Sequence, residues 1–185
     1  MKKAILLFGG IFLLACCTLA SAQISQGDTI TKVLDQNVSS VEGELVPLVE
    51  AMPEDKFSFV PTGGEFKGVR TFASQAKHIA AVNYMVAAAI LGEKAPVDLG
   101  GENGPDSVVS KTDIVKFLKE SFAYTHKAML TISDKGAFEK VKSPFGDDKV
   151  TKISMATLIP GHCFDHYGQM VVYLRLNGIV PPASR

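Results

Sequence analysis

The chain has no tryptophan, no net charge and almost no cysteine. Its 185 residues carry 19 basic and 19 acidic side chains. A nucleic-acid binder needs a basic face, and this balance argues against one. The three cysteines are Cys16, Cys17 and Cys163. The first two sit in the leader described below, so a processed chain keeps one and forms no internal disulfide. There is no low-complexity run and no repeat of about 20 to 50 residues, which excludes solenoids and propellers. Long apolar runs are also missing, with one exception near the start.

That exception is an address. Lys2 and Lys3 form a positive region, residues 4–15 are apolar or glycine without interruption, and Ala20-Ser21-Ala22 supplies the small residues that a signal peptidase reads. The expectation is a signal peptide over 1–22, cleaved before Gln23, and an exported protein, periplasmic or secreted. A membrane anchor is the competing reading, but the apolar run falls short of the roughly 20 residues a span needs. Leu13-Leu14-Ala15-Cys16 loosely resembles a lipoprotein signal; Ala20-Ser21-Ala22 accounts for the segment better. After cleavage, residues 23–185 form one domain with a charge of −2 and no stable membrane span. At 46% hydrophobic, the chain can bury one sizeable core and is not disordered.

Apolar periodicity predicts four helices. In residues 28–51, Ile30, Val33, Leu34, Val38, Val41, Leu45, Leu48 and Val49 recur at steps of three and four, and Pro47 is expected to kink or end the last turn. A second helix spans 71–91, with Thr71 as its cap and Gly92 as its terminator. It is apolar on most sides and reads as the most buried. A third starts at Ser110, with Asp113 placed as in a capping box, and its period persists to Ile132. The fourth spans 154–177, ends at Gly178, and contains Pro160, which is expected to bend or divide it. Residues 93–109 and 134–152 read as polar, irregular connections, the charges from Lys140 to Lys152 forming a solvated edge. The fold class is all-α, a four-helix bundle.

The chemistry rests on histidine. The processed chain has His78, His126, His162 and His166. His162 and His166 are four apart, so a helix stacks both imidazoles on one face. A third imidazole from a facing helix completes an open three-ligand metal site, the arrangement of catalytic rather than structural zinc. Spacing alone leaves open whether His78 or His126 is that third ligand, and whether the rings converge. Imidazoles suit zinc or nickel, and also copper, manganese or iron. Asp165 points roughly 100° away from His166 on a helix and is read as orienting a partner. Gln169, three after His166, lies nearer the site. Cys163 projects off the metal face and reads as a small apolar residue. Tyr84, Tyr167 and Tyr173 read as packing residues with wet hydroxyls.

His162-Cys163-Phe164-Asp165-His166-Tyr167-Gly168-Gln169, followed by Tyr173-Leu174-Arg175 and Asn177-Gly178, resembles the last helix of the DinB (damage-inducible, YfiT-like) family. Gln75-Ala76-Lys77-His78-Ile79-Ala80 is similar to that family's second-helix signature. Met52-Pro53-Glu54-Asp55-Lys56-Phe57 and Phe59-Val60-Pro61 resemble the segment after its first helix. The resemblance implies a four-helix bundle, often a homodimer, with a divalent metal on His78, His162 and His166 and no role for His126. It implies a hydrolase or a thiol or other group transferase acting on a small molecule. The export signal departs from relatives that use cytoplasmic low-molecular-weight thiols. Two other classes compete: a bundle that binds metal or a small ligand without turnover, and a structural domain with incidental histidines.

Overall fold

The computed structural model describes residues 29–185. The expected signal peptide lies outside the described residues. Four helices dominate: α1 (Ile30–Ala51), α2 (Phe72–Leu91), α3 (Lys111–Met129) and α4 (Lys152–Leu176). Each begins on a hydroxyl cap. Thr29, Thr71, Ser110 and Thr151 accept the amides of Lys32, Ser74, Asp113 and Ser154, which would otherwise lack partners in the first turn. Gly92 closes α2 at φ 70°, a left-handed conformation that a side chain would strain.

α2 is the central element. Fourteen of its 20 residues are buried, because it is apolar nearly all round and packs against both α3 and α4. α1 packs on α3 and α4 from the other side. Phe72, Ile79, Leu45, Leu118, Phe122 and Ile159 are among the large side chains fully withdrawn from solvent. Among the described residues, no helix is long and apolar enough to cross a membrane.

α1 reaches the expected Ala51, so Pro47 does not end it early, and Pro160 does not divide α4, which is continuous from Lys152. The polar stretch after α3 is not all irregular. Lys140–Lys142 (β1) and Lys149–Thr151 (β2) pair antiparallel, with Val141 opposite Val150. Both valines are half-buried and pack against the core, which gives this charged hairpin one apolar contact.

His126 lies away from the other three histidines. Its Nδ1 is 2.6 Å from Asp35 Oδ1 and its Nε2 is 3.0 Å from Glu42 Oε2, joining α3 to α1. Carboxylates only accept, so both ring nitrogens carry protons and the ring is an imidazolium. Burial lowers its pKa, but the hydrogen bonds and charges of Asp35 and Glu42 raise it more, to a net value above 6.5. A pKa raised on folding stabilises fully below the unfolded value and is lost as pH rises through the folded one. Stability should therefore decline gently above pH 6.5, on the order of 1 kcal/mol or less for a solvent-screened cluster. Urea unfolding of His126→Gln across that range should show a flatter profile than the parent chain.

Candidate metal centre

α2 and α4 each present one polar stripe to the other. Gln75 and His78 are three apart on α2; His162, His166 and Gln169 follow at steps of four and three on α4. Helix packing brings the stripes together. His78 and His166 are 6% exposed and His162 is half-buried.

The three imidazoles meet through one atom type. His162 Nε2 is 3.0 Å from His78 Nε2 and 3.1 Å from His166 Nε2. Three nitrogens sharing one ion at about 2.1 Å stand about 3.0 to 3.4 Å apart, depending on coordination angle. The described residues place no carboxylate in this cluster, which could hold a metal ion.

The outer ring nitrogens decide the tautomers. His78 Nδ1 lies 2.6 Å from the Glu102 carbonyl, which can only accept, so Nδ1 carries the proton. His166 Nδ1 is hydrogen-bonded to Gln75 Oε1. The Gln75 amide is oriented by its other end, because its Nε2 donates to Gln169 Oε1 at 2.9 Å. His166 is therefore also protonated at Nδ1. Both rings consequently aim Nε2 lone pairs at His162. One proton on His162 Nε2 cannot serve both lone pairs well, whereas a cation accepts electron density from all three.

Their protonation fits the same role. Burial, followed by the charges of His166, His78 and Arg70, pulls His162 down to about 3. Burial and the charges of His78 and Arg70, against an opposing effect of Asp165, lower His166 to about 4. Burial lowers His78, opposed by the Glu102 hydrogen bond. All three are neutral imidazoles at neutral pH, the form that binds metals.

Asp165 and Gln169 enter at one remove. Asp165 is exposed and accepts from Gln169 Nε2 at 3.2 Å, not from a histidine. The line of contacts runs Asp165, Gln169, Gln75, His166. Gln75 is the member that the sequence reading left without a role, although it opens the quoted second-helix motif. Its spacing, three before His78, was the available signal.

The connection between α2 and α3 is equally involved. A short 3-10 turn, Gly101–Asn103, packs on α2 and delivers the Glu102 carbonyl to His78. Gly104, at φ 77°, passes so close to α2 that a Cβ would stand 2.8 Å from Lys77 Cβ. A backbone carbonyl has no side-chain signature, so sequence gave no warning of this contact.

Cys163 takes no part in the cluster. Its thiol is fully buried, donates to Asn83 Oδ1 at 3.4 Å, and is pushed up to about 12 by burial. Tyr167 donates to Glu44 and Tyr173 to the Arg70 carbonyl.

The model of a family described as the DinB superfamily matches residues 38–170. No curated protein matches the chain. Among solved structures, a DinB-like protein from Bacillus cereus ATCC 10987 aligns with a TM-score of 0.65 and 17% identity, over 84% of this chain and 97% of that one. At that identity the likeness is one of fold.

Proposed function

The chain belongs to the DinB superfamily, and from that premise we propose that His78, His162 and His166 hold one divalent metal ion in an exported enzyme of the hydrolase or group-transferase type. The observation that carries the reading is the convergence of three neutral Nε2 atoms with their outer nitrogens already occupied or buried. Zinc or nickel suits an all-imidazole set, with manganese or iron as further candidates. A divalent cation bound there would supply Lewis acidity and lower the pKa of a water or thiol that joins it. The protein's part is to fix the rings. Glu102 and Gln75 hold His78 and His166 in one tautomer and one orientation. α2 and its covering turn keep two of the three rings nearly free of bulk water.

A second reading, metal binding without turnover, is favoured by one feature. Among the described residues the cluster is made of imidazoles alone, with no carboxylate joining it to serve as a general base. Elemental analysis of the purified protein should find about one divalent ion per chain. Turnover of an ester or of an electrophile with a small thiol, lost on metal removal and restored by its return, supports the enzyme. A fully loaded protein inert to both panels leaves the binding role, and a chain that retains no metal overturns both.

A further inference from the structure

Among the described residues, two buried side-chain nitrogens or oxygens have no hydrogen-bond partner: His162 Nδ1 and Arg70 Nε. Both belong to the same corner of the molecule. Arg70 ends the loop before α2, and its Nη2 reaches Asn103 Oδ1 at a long 3.4 Å. Asn103 follows Glu102, whose carbonyl holds His78. Arg70 is half-buried, no carboxylate pairs with it among the described residues, and its inward-facing Nε is left as an unmet donor, which an anionic oxygen would satisfy.

The charge balance points the same way. Three neutral ligands leave a divalent ion's charge uncompensated, and Arg70 adds to it. A cleft of about 190 Å³ is lined by Pro61, Phe66, Val69, Gln169, Val172 and Tyr173, of which Val69 precedes Arg70 in the chain. Gln169 belongs both to this cleft and to the line of contacts leading to His166. Tyr173 donates to the Arg70 carbonyl at 3.0 Å, tying the cleft wall to the arginine.

We infer that Arg70 is a substrate-binding residue that receives a carboxylate or similar anionic group beside the histidines, and that the adjoining cleft takes the apolar part of the same small molecule. The guanidinium offers paired donors to two oxygens of such a group. The apolar walls reward each added methylene. This rests on the metal reading for the cation's share of the charge, and the test separates the two.

The experiment is calorimetric titration of the zinc-loaded protein with acetate, butyrate and hexanoate, alongside Arg70→Gln and Arg70→Lys. Zinc content is measured first in all three proteins and is expected to be equal. Hexanoate should bind more tightly than acetate, each buried methylene contributing up to about fourfold. Arg70→Gln should weaken the whole series by about 10- to 100-fold, with Arg70→Lys between the two. Equal carboxylate affinity in Arg70→Gln overturns the assignment of Arg70 and leaves the metal reading intact. Affinity that does not change with chain length overturns the assignment of the cleft. If no protein retains zinc, the metal reading falls; the same titration on metal-free protein then shows either an Arg70-dependent affinity, which supports the arginine, or none, which removes it.

Discussion

His162→Ala is expected to abolish metal retention and leave the bundle folded. His162 is the hub of the cluster, with its Nε2 within 3.1 Å of both other rings. Its removal leaves two neutral imidazoles, one ligand short of the three that a site of this kind needs to hold an ion firmly. The fold should survive because the side chain makes no other hydrogen bond: its Nδ1 has no partner, and the residue is only half-buried. His166→Ala is a less clean test, since it also strands the Gln75 amide. The readouts are metal content and thermal unfolding with and without added zinc. At a zinc concentration 100 times the dissociation constant, the parent chain should gain about 2.7 kcal/mol. For a domain of this size that is roughly 5 to 10 °C in Tm. The variant should gain nothing. Equal metal content in the two proteins would show that the three rings do not share an ion.

Much of this architecture was readable from the chain because helices advertise themselves locally. The stripe from Ile30 to Val49, the caps Thr71 and Ser110, and the stops Gly92 and Gly178 are all short-range signals, and each falls where the helices begin or end. The pairing of His162 with His166 is of the same kind, since one helical turn guarantees a shared face. His78 could be joined to them only through a resembling motif, because spacing says nothing about which helices face each other. The parts left unread depend on chain returning from a distance. Glu102 acts through its backbone, and Arg70 acts from a loop 92 positions before His162 in a segment that reads as punctuation. The hairpin of β1 and β2 escaped because three-residue strands rich in lysine look like solvated loop; only Val141 and Val150 mark it.

Gln75 supplies the second large effect. Gln75→Leu should weaken metal binding by about 10- to 100-fold, the usual consequence of removing a group that orients a ligand. The side chain is 2% exposed and joins two elements: its oxygen accepts from His166 Nδ1 and its nitrogen donates to Gln169. Leucine fills much the same volume, so packing survives and the loss is one of polarity. His166 then keeps a buried Nδ1–H with no acceptor, which costs about 1 to 3 kcal/mol and frees the ring to adopt the other tautomer. In that tautomer the proton sits on Nε2, the atom a metal needs. Gln75→Glu separates this account from simple loss of structure. It keeps an acceptor for Nδ1–H and gives up only the donor to Gln169, so metal affinity should stay within a few-fold of the parent or rise as the ring becomes more basic. Gln169→Leu, at an exposed position one contact further out, should change affinity by less than Gln75→Leu. Competitive titration against a chromophoric chelator ranks all four proteins. Equal losses for Gln75→Leu and Gln75→Glu would mean that the residue holds α2 against α4 and has no part in presenting His166 Nε2.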